Sequence, residues 1–218
     1  MISDPDSPAL DALRRGAADP VTATSADIDA VADDLCASFR NDPQFDWFMR
    51  PGPGRERARL AFFQMLLGEV ALPTGVISRP ATGGAASVWI NSANMGPNSL
   101  ASELRALPTI LRATGLSRFG RILSTRRAMD LYHPMDRPHA YLWFLGVRPE
   151  AQGLGVGSRL LAAGLATVDA QGLPAYLESS SPANVPLYRR HGFEVVREFL
   201  PGKGAPPLFA MWREAQTA

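Results

Sequence analysis

The chain has 218 residues, 46% of them apolar, enough to bury one sizeable core and at most half of a second. A net charge of +1, with Lys and Arg scattered, argues against nucleic acid as a partner, and no apolar run reaches membrane-spanning length. Cys36 is the single cysteine, which excludes an internal disulfide framework and a cysteine-based zinc site. The three histidines, His133, His139 and His191, lack metal-ligand spacing.

Residues 1–20 are rich in Asp, Pro, Ala and Ser and offer little to bury, so they read as a mobile leader with at most a marginal turn around Leu10 to Leu13. This start is acidic and has no signal-peptide core, which predicts a cytoplasmic protein. Val21 to Thr24 suits a short edge strand. Thr24 and Asp27 form a capping box for a helix whose Ile28, Val31, Leu35 and Phe39 share one face. Asn41-Asp42-Pro43 ends that helix, because the residue before proline avoids helical angles. The next stretch, to Pro53, reads as a loop carrying four large apolar side chains, either packed on the core or bordering a site.

A second helix is predicted over Arg55 to Leu72, with Leu60, Phe63, Leu67 and Val70 inward, until Pro73-Thr-Gly breaks it. Gly75 to Arg79 and Ala85 to Ile90 then form a hairpin. From 91 to 138 the pattern is helical, with breaks at Gly96-Pro97, Pro108, Gly115 and His133-Pro134.

The run from Ala140 to Val147 is aromatic and aliphatic throughout, which predicts an interior strand that Pro149 stops. Gly153, Gly155 and Gly157 follow at alternate positions. A helical period then runs through Leu160, Leu161, Leu165 and Val168 to Gly172. A strand, a glycine-rich turn and a helix N-terminus present bare amides at the positive end of a dipole, a geometry suited to phosphate. A nucleotide P-loop is excluded, since Ser158-Arg159 stands where its lysine belongs and Lys203 is the only lysine. A dinucleotide fingerprint, Gly153-x-Gly155-x-x-Ser158 with Glu178 downstream, fails because five residues separate strand from glycine and little chain remains for a second half. Pro174 to Ser180 is another buried strand, parallel to the first through the crossover helix. Ser181 caps a short helix with Pro182 at its first position, and Asn184 and Tyr188 share a face of it. Strands at Phe193 to Phe199 and Leu208 to Trp212 close the sheet.

Gln152-x-x-Gly155-x-Gly157 after Leu145-x-Val147, followed by Asn184, Tyr188 and a Gly-Phe pair, resembles the acyl-CoA signature of the GCN5-related N-acetyltransferases over about Ala140 to Trp212. The helical 91–138 insert resembles that of puromycin acetyltransferase-like members. The resemblance implies an α/β fold over 21–216: a mixed, mostly antiparallel sheet splayed at its two central parallel strands, with helices on both faces. It implies transfer of an acetyl group from acetyl-CoA to the primary amine of a small molecule, without a metal and with no nucleic-acid or membrane partner, by a monomer or homodimer.

On the same footing, Leu145, Gly146 and Val147 hold the pantetheine arm, with Gly146 supplying a bulge that opens the sheet. Gln152, Gly153, Leu154, Gly155, Val156, Gly157 and Ser158 form the pyrophosphate turn, and Asn184 holds the pantetheine. Tyr188 is the general acid, since a phenol stays protonated at neutral pH. Glu178 is a candidate base, amine anchor or buried arginine partner, with His139 and a water chain as alternatives for the base. Asp42, Asp46, Trp47 and Phe48 are candidate acceptor contacts, and the insert is either a structural flap or a wall over the acceptor. A CoA-binding regulator with a degenerate site, or an acyltransferase with a longer donor or a hydroxyl acceptor, remain open alternatives.

Overall fold

The computed structural model describes residues 7–96 and 99–216. Among these, seven strands form one sheet: β1 Val21–Thr22, β2 Gly75–Arg79, β3 Ala85–Asn91, β4 Ala140–Val147, β5 Ala175–Ser179, β6 Glu194–Phe199 and β7 Leu208–Arg213. Their spatial order is β1-β2-β3-β4-β5-β7-β6, antiparallel throughout except for β4 with β5. The uncharged run of β4 sits in the middle because both of its faces are covered.

On one face, α2 (Ile28–Ser38) and α4 (Arg55–Met65, continued by a wider-pitched turn to Ala71) pack Val31, Leu35, Phe63 and Leu67 against Ile77, Val88 and Phe144. The other face carries α7 (Val156–Ala170) and α8 (Val185–Arg190). There Leu161, Leu165, Val168 and Val185 meet Leu142, Ala175, Leu177 and Met211. The insert forms α5 (Leu100–Thr114) and α6 (Phe119–Tyr132). Ile110 and Ala113 of α5 reach the α2–α4 core, while Met129 and Tyr132 of α6 pack over Tyr141, Tyr176 and Trp212.

Leu142 and Phe144 are an even number of residues apart yet face opposite sides of the sheet. The reason lies in the register. Val88 pairs Phe144 and Trp89 pairs Leu142, so Trp143 is an extra residue, a β-bulge that reverses the alternation. The bulge expected at Gly146 is therefore at Trp143. Gly146 has another task, because a Cβ there would lie 2.6 Å from Leu35 Cδ2 and 3.0 Å from Ser38 Cβ. Its missing side chain lets α2 lie close against β4.

Three further expectations are corrected. Within the predicted leader, Pro8–Ala18 is a helix, α1, that buries Leu10, Leu13 and Ala17 against Val156 and Leu160; only residues 1–6 lie outside the described residues. A segment that is polar on average still folds when its few apolar residues fall on one face. Pro43, read as a terminator, is instead the first residue of a short helix, α3 (Pro43–Phe48), capped by Asp42. Pro108 does not break the insert but sits inside α5, where the carbonyl it frees belongs to exposed Leu104 and meets solvent. The break at Gly115 is observed, and α6 ends at His133-Pro134 as expected. That expected at Gly96-Pro97 includes Pro97, outside the described residues.

Leu10→Ala tests the docking of α1. With Leu10 fully buried, the substitution should cost about 2–5 kcal/mol in a urea unfolding titration, whereas a mobile leader would give no change.

Candidate active site

Parallel pairing between β4 and β5 stops almost as soon as it starts, with only Ala140 opposite Ala175 and Tyr141 opposite Tyr176. Beyond Tyr141 the β5-side edge of β4 has no strand partner, and the two strands diverge around a cleft of about 590 Å³. Leu145, Gly146 and Val147 form one wall, the end of α2 through Asp42 another, and Ser181, Asn184, Leu187 and Tyr188 a third. The glycine turn closes the floor with Gln152, Gly153, Gly155, Gly157 and Ser158.

The turn is held by both backbone and side chains. Gly153 and Gly155 have φ of 74° and 81°, in the left-handed region that favours glycine. Gly157 brings α7 close to β4, since a Cβ there would be 3.3 Å from Val147 Cγ2. Gln152 Nε2 donates to Val147 O at 2.9 Å, tying the turn to the strand, and Ser158 Oγ lies 2.8 Å from His191 Nε2. The side chains of Leu154 and Val156 turn away into the cluster built on α1, so these two residues offer the cleft main chain alone. Arg40 and Arg190 line the cleft walls, adding positive charge beside the amides at the start of α7.

At the cleft's inner end, Asp42 accepts hydrogen bonds from the Gln44 and Phe45 amides at 2.9 and 3.0 Å, and its other oxygen accepts from the Ser180 hydroxyl. This bond ties the start of α3 to the segment after β5, across the split. Burial pushes the Asp42 carboxyl above its ordinary range, opposed by the Ser180 and backbone hydrogen bonds. Tyr188 is 8% exposed and lies edge-on to Phe193. Burial, then the charge of Asp42, lift its phenol well above the usual value of 10, so it stays protonated.

Glu178 shares the face of Tyr176, as its spacing predicts, but does not line this cleft. It lies under α6, with Oε1 3.7 Å from His133 Nδ1. The four acceptor candidates separate as well. Asp42 lines the cleft, whereas Asp46 pairs with Arg55 on the outer surface. Trp47 lies under the Arg121 guanidinium, 5.5 Å from the ring centroid. Phe48 is 5% exposed and packs on Phe45 and Phe62, so it is a core residue and not an acceptor contact. Helical period explains the split, since α3 turns Phe45 and Phe48 inward together and leaves Asp46 outside. Ser180, Arg40, Arg190 and His191 were missed: a serine run after a strand, an arginine in the turn after α2 and an arginine and histidine at the end of a short helix carry no local signal.

The mixed sheet opened at one parallel pair, with a helix N-terminus aimed into the gap, defines an acyl-transfer fold. Residues 114–193 match the family described as Acetyltransferase (GNAT) family, and the chain carries a GNAT-family acetyltransferase domain. A crystal structure of the histone acetyltransferase HPA2 and related acetyltransferase from Corynebacterium glutamicum superposes with a TM-score of 0.67 and 25% identity, over 91% of this chain and 97% of that one. The Drosophila melanogaster polyamine N acetyltransferase shares the fold, with a TM-score of 0.57 and 17% identity over 89% and 99% of the two chains. Mycothiol acetyltransferase from Paenarthrobacter aurescens is 42% identical over 67 residues, which is 28% of this chain and 21% of that protein. The match thus spans about a fifth of that relative's length. Among the described residues no helix is long and apolar enough to cross a membrane, and no cluster of His, Cys, Asp and Glu could hold a metal ion.

Asp42 yields a prediction with a definite sign. A carboxyl raised above its ordinary 3.8 in the folded state adds stability below that value and loses it as pH rises through the folded pKa. Asp42→Asn keeps an oxygen for the Gln44 and Phe45 amides but carries no charge. It should therefore melt higher than the parent at about pH 7, and the advantage should vanish below about pH 4. Thermal melts across this range check both limbs.

Proposed function

We propose that the chain is an N-acetyltransferase that moves the acetyl group of acetyl-CoA to a primary amine of a small molecule. The observation that carries this reading is the meeting, in one cleft, of an unpaired strand edge at Leu145–Val147, the glycine turn before α7 and the Tyr188 phenol. An extended pantetheine arm fits the open edge as a further strand, using main-chain hydrogen bonds. The Gly153–Ser158 amides and the dipole of α7 receive the pyrophosphate, with Arg40 and Arg190 beside it and Asn184 on the arm. The match to mycothiol acetyltransferase supports a small-molecule acceptor. The cytoplasm, where acetyl-CoA is at hand, is the compartment this reading fits.

The reaction forms a C–N bond to the thioester carbon and breaks its C–S bond. A β4 amide on the open edge is available to the developing oxyanion. Tyr188 then donates its proton to the leaving thiolate. Burial raises the basicity of a thiolate for the same reason that it raises the phenol, so the two remain matched in the closed site. Asp42, fixed by Ser180, lines this end of the cleft, while Asp46 and Trp47 lie farther out along α3, where the far end of an acceptor would pass.

Tyr188→Phe keeps the ring on Phe193, so folding and acetyl-CoA affinity should survive while kcat falls about 10²–10⁴-fold in a thiol-release assay over an amine panel. Near-normal turnover would give the proton to another donor. Because the phenol is held well above 10, no alkaline limb from Tyr188 should appear below about pH 10 in the parent. Gly155→Asp sets a charged side chain at a left-handed position of the cleft floor, where its Cβ would lie 2.6 Å from Arg159 Nη1 and force that side chain to shift. It should weaken acetyl-CoA binding by at least about tenfold in calorimetry, and unchanged affinity would place the donor elsewhere.

A further inference from the structure

On the face of the split opposite α7 lies a closed set of polar side chains that the donor cleft does not use. His133 follows the last residue of α6, His139 precedes β4, and Glu178 lies on β5. The side chains of His133 and Glu178 are 5% and 2% exposed, and His139 is fully buried. The rings of Tyr141 and Tyr176 stand edge-on to His133, at 4.9 and 4.8 Å between centroids. Both Glu178 carboxylate oxygens and the Tyr176 hydroxyl are buried without a hydrogen-bond partner. The Tyr141 and Tyr176 phenols act on this carboxylate as neutral donors without closing a full hydrogen bond on it, and a buried carboxylate whose only neighbours are phenols and an imidazole is a receptor for a cationic N–H.

Hydrogen-bond roles in this set can be worked out ring by ring. His139 Nδ1 is 2.7 Å from Arg137 O, a carbonyl that only accepts, so Nδ1 carries the hydrogen. Burial, the neighbouring His133 and Arg137 hold the His139 pKa below its ordinary value despite that hydrogen bond, which keeps the ring neutral and its Nε2 bare. His133 Nε2, 3.0 Å away, must then be the donor between the two rings. Only His133 Nδ1 is left undetermined, and it faces Glu178 Oε1. As a neutral ring, His133 presents a lone pair to the carboxylate, a pair of acceptors lacking one proton.

We propose that His133, supplied by the insert, is the catalytic base that takes the acceptor's proton, with Glu178 receiving the ammonium and His139 positioning the base. This rests on the acetyl-transfer reading above. Glu178 lies just beyond Tyr176, the last β5 residue paired to β4, so it stands where the split opens. An amine that reaches it is stripped of water between α6 and the sheet, which itself favours the neutral amine. The nitrogen gives up two protons in all. One passes to His133 Nδ1, leaving an imidazolium beside the Glu178 carboxylate, and returns to solvent after product leaves. The other restores the Tyr188 proton that went to sulfur. Other charges act on the set from each surrounding element: Asp130 of α6 on Tyr141, Arg137 of the connection on His139, and Arg197 of β6 on Tyr176.

The test is a pH profile of kcat/KM for thiol release over an amine panel, run beside acetyl-CoA calorimetry on the same proteins. The parent should show an acidic limb from His133. His133→Gln retains a donor toward His139, and should lose that limb together with about 10²–10⁴-fold of its rate at neutral pH, with acetyl-CoA affinity intact. Glu178→Gln should raise KM for the amine about tenfold or more with acetyl-CoA affinity intact. In ¹⁵N-histidine-labelled protein His139 should show the Nδ1–H tautomer in the parent and in Glu178→Gln alike. An active parent whose limb persists in His133→Gln, or an amine KM untouched by Glu178→Gln, overturns the proposal and leaves acetyl transfer standing. A parent that neither binds acetyl-CoA nor releases thiol overturns the acetyl-transfer reading itself.

Discussion

The structure depends on a pairing that is not made. Main-chain groups inside a protein are nearly always hydrogen-bonded, because an orphaned buried amide or carbonyl costs as much as a lost bond. Yet β4, the most apolar strand and the centre of the sheet, leaves its β5 edge unpaired after Tyr141. That edge needs partners, and the cleft beside it exposes the main chain to solvent or to an extended ligand. Three features shape the gap. Trp143 bulges and turns Phe144 and Gly146 toward α2, the bare Cα of Gly146 admits that helix, and the Asp42–Ser180 bond bridges the split.

The two faces of the split differ in charge. Toward α7 the surroundings are positive, with unpaired first-turn amides and the Arg40 and Arg190 side chains, which suits a polyanionic donor. Toward α6 they are a carboxylate, two imidazoles and two phenols, which suits a cation about to lose a proton. Separating these environments by the thickness of a sheet lets each be tuned alone. Tyr188 is kept protonated on the donor side by burial and by Asp42, and His139 is kept neutral on the other by burial and by His133.

The insert holds more than its own core together. Arg118 donates to the Asp46 and Met49 carbonyls at 2.9 and 2.6 Å, and Arg121 to the Trp47 carbonyl at 2.8 Å, so the start of α6 clamps α3. The far end of the same helix delivers His133 to Glu178. One helix therefore joins the α3 wall to the buried Glu–His–His set, and a displacement of α6 would be felt at both.

Local residue pattern was sufficient for the parts whose physics is local. The uncharged run at Ala140–Val147 had to be interior, and glycines at 153, 155 and 157 before an apolar helical period had to make a tight, amide-rich turn. The Thr24–Asp27 capping box is likewise contained in a few residues. Tertiary structure alone decided what depends on partners distant in sequence. Leu10 and Leu13 look too sparse to fold until α7 offers them a surface, and Phe48 is a core residue because Phe62 lies beneath it. The bulge belongs to Trp143 and not Gly146 because register is set by β3, across the sheet. His133 and Glu178, far apart in the chain, meet only because the insert folds back over β5, and no spacing in a sequence records a contact made that way.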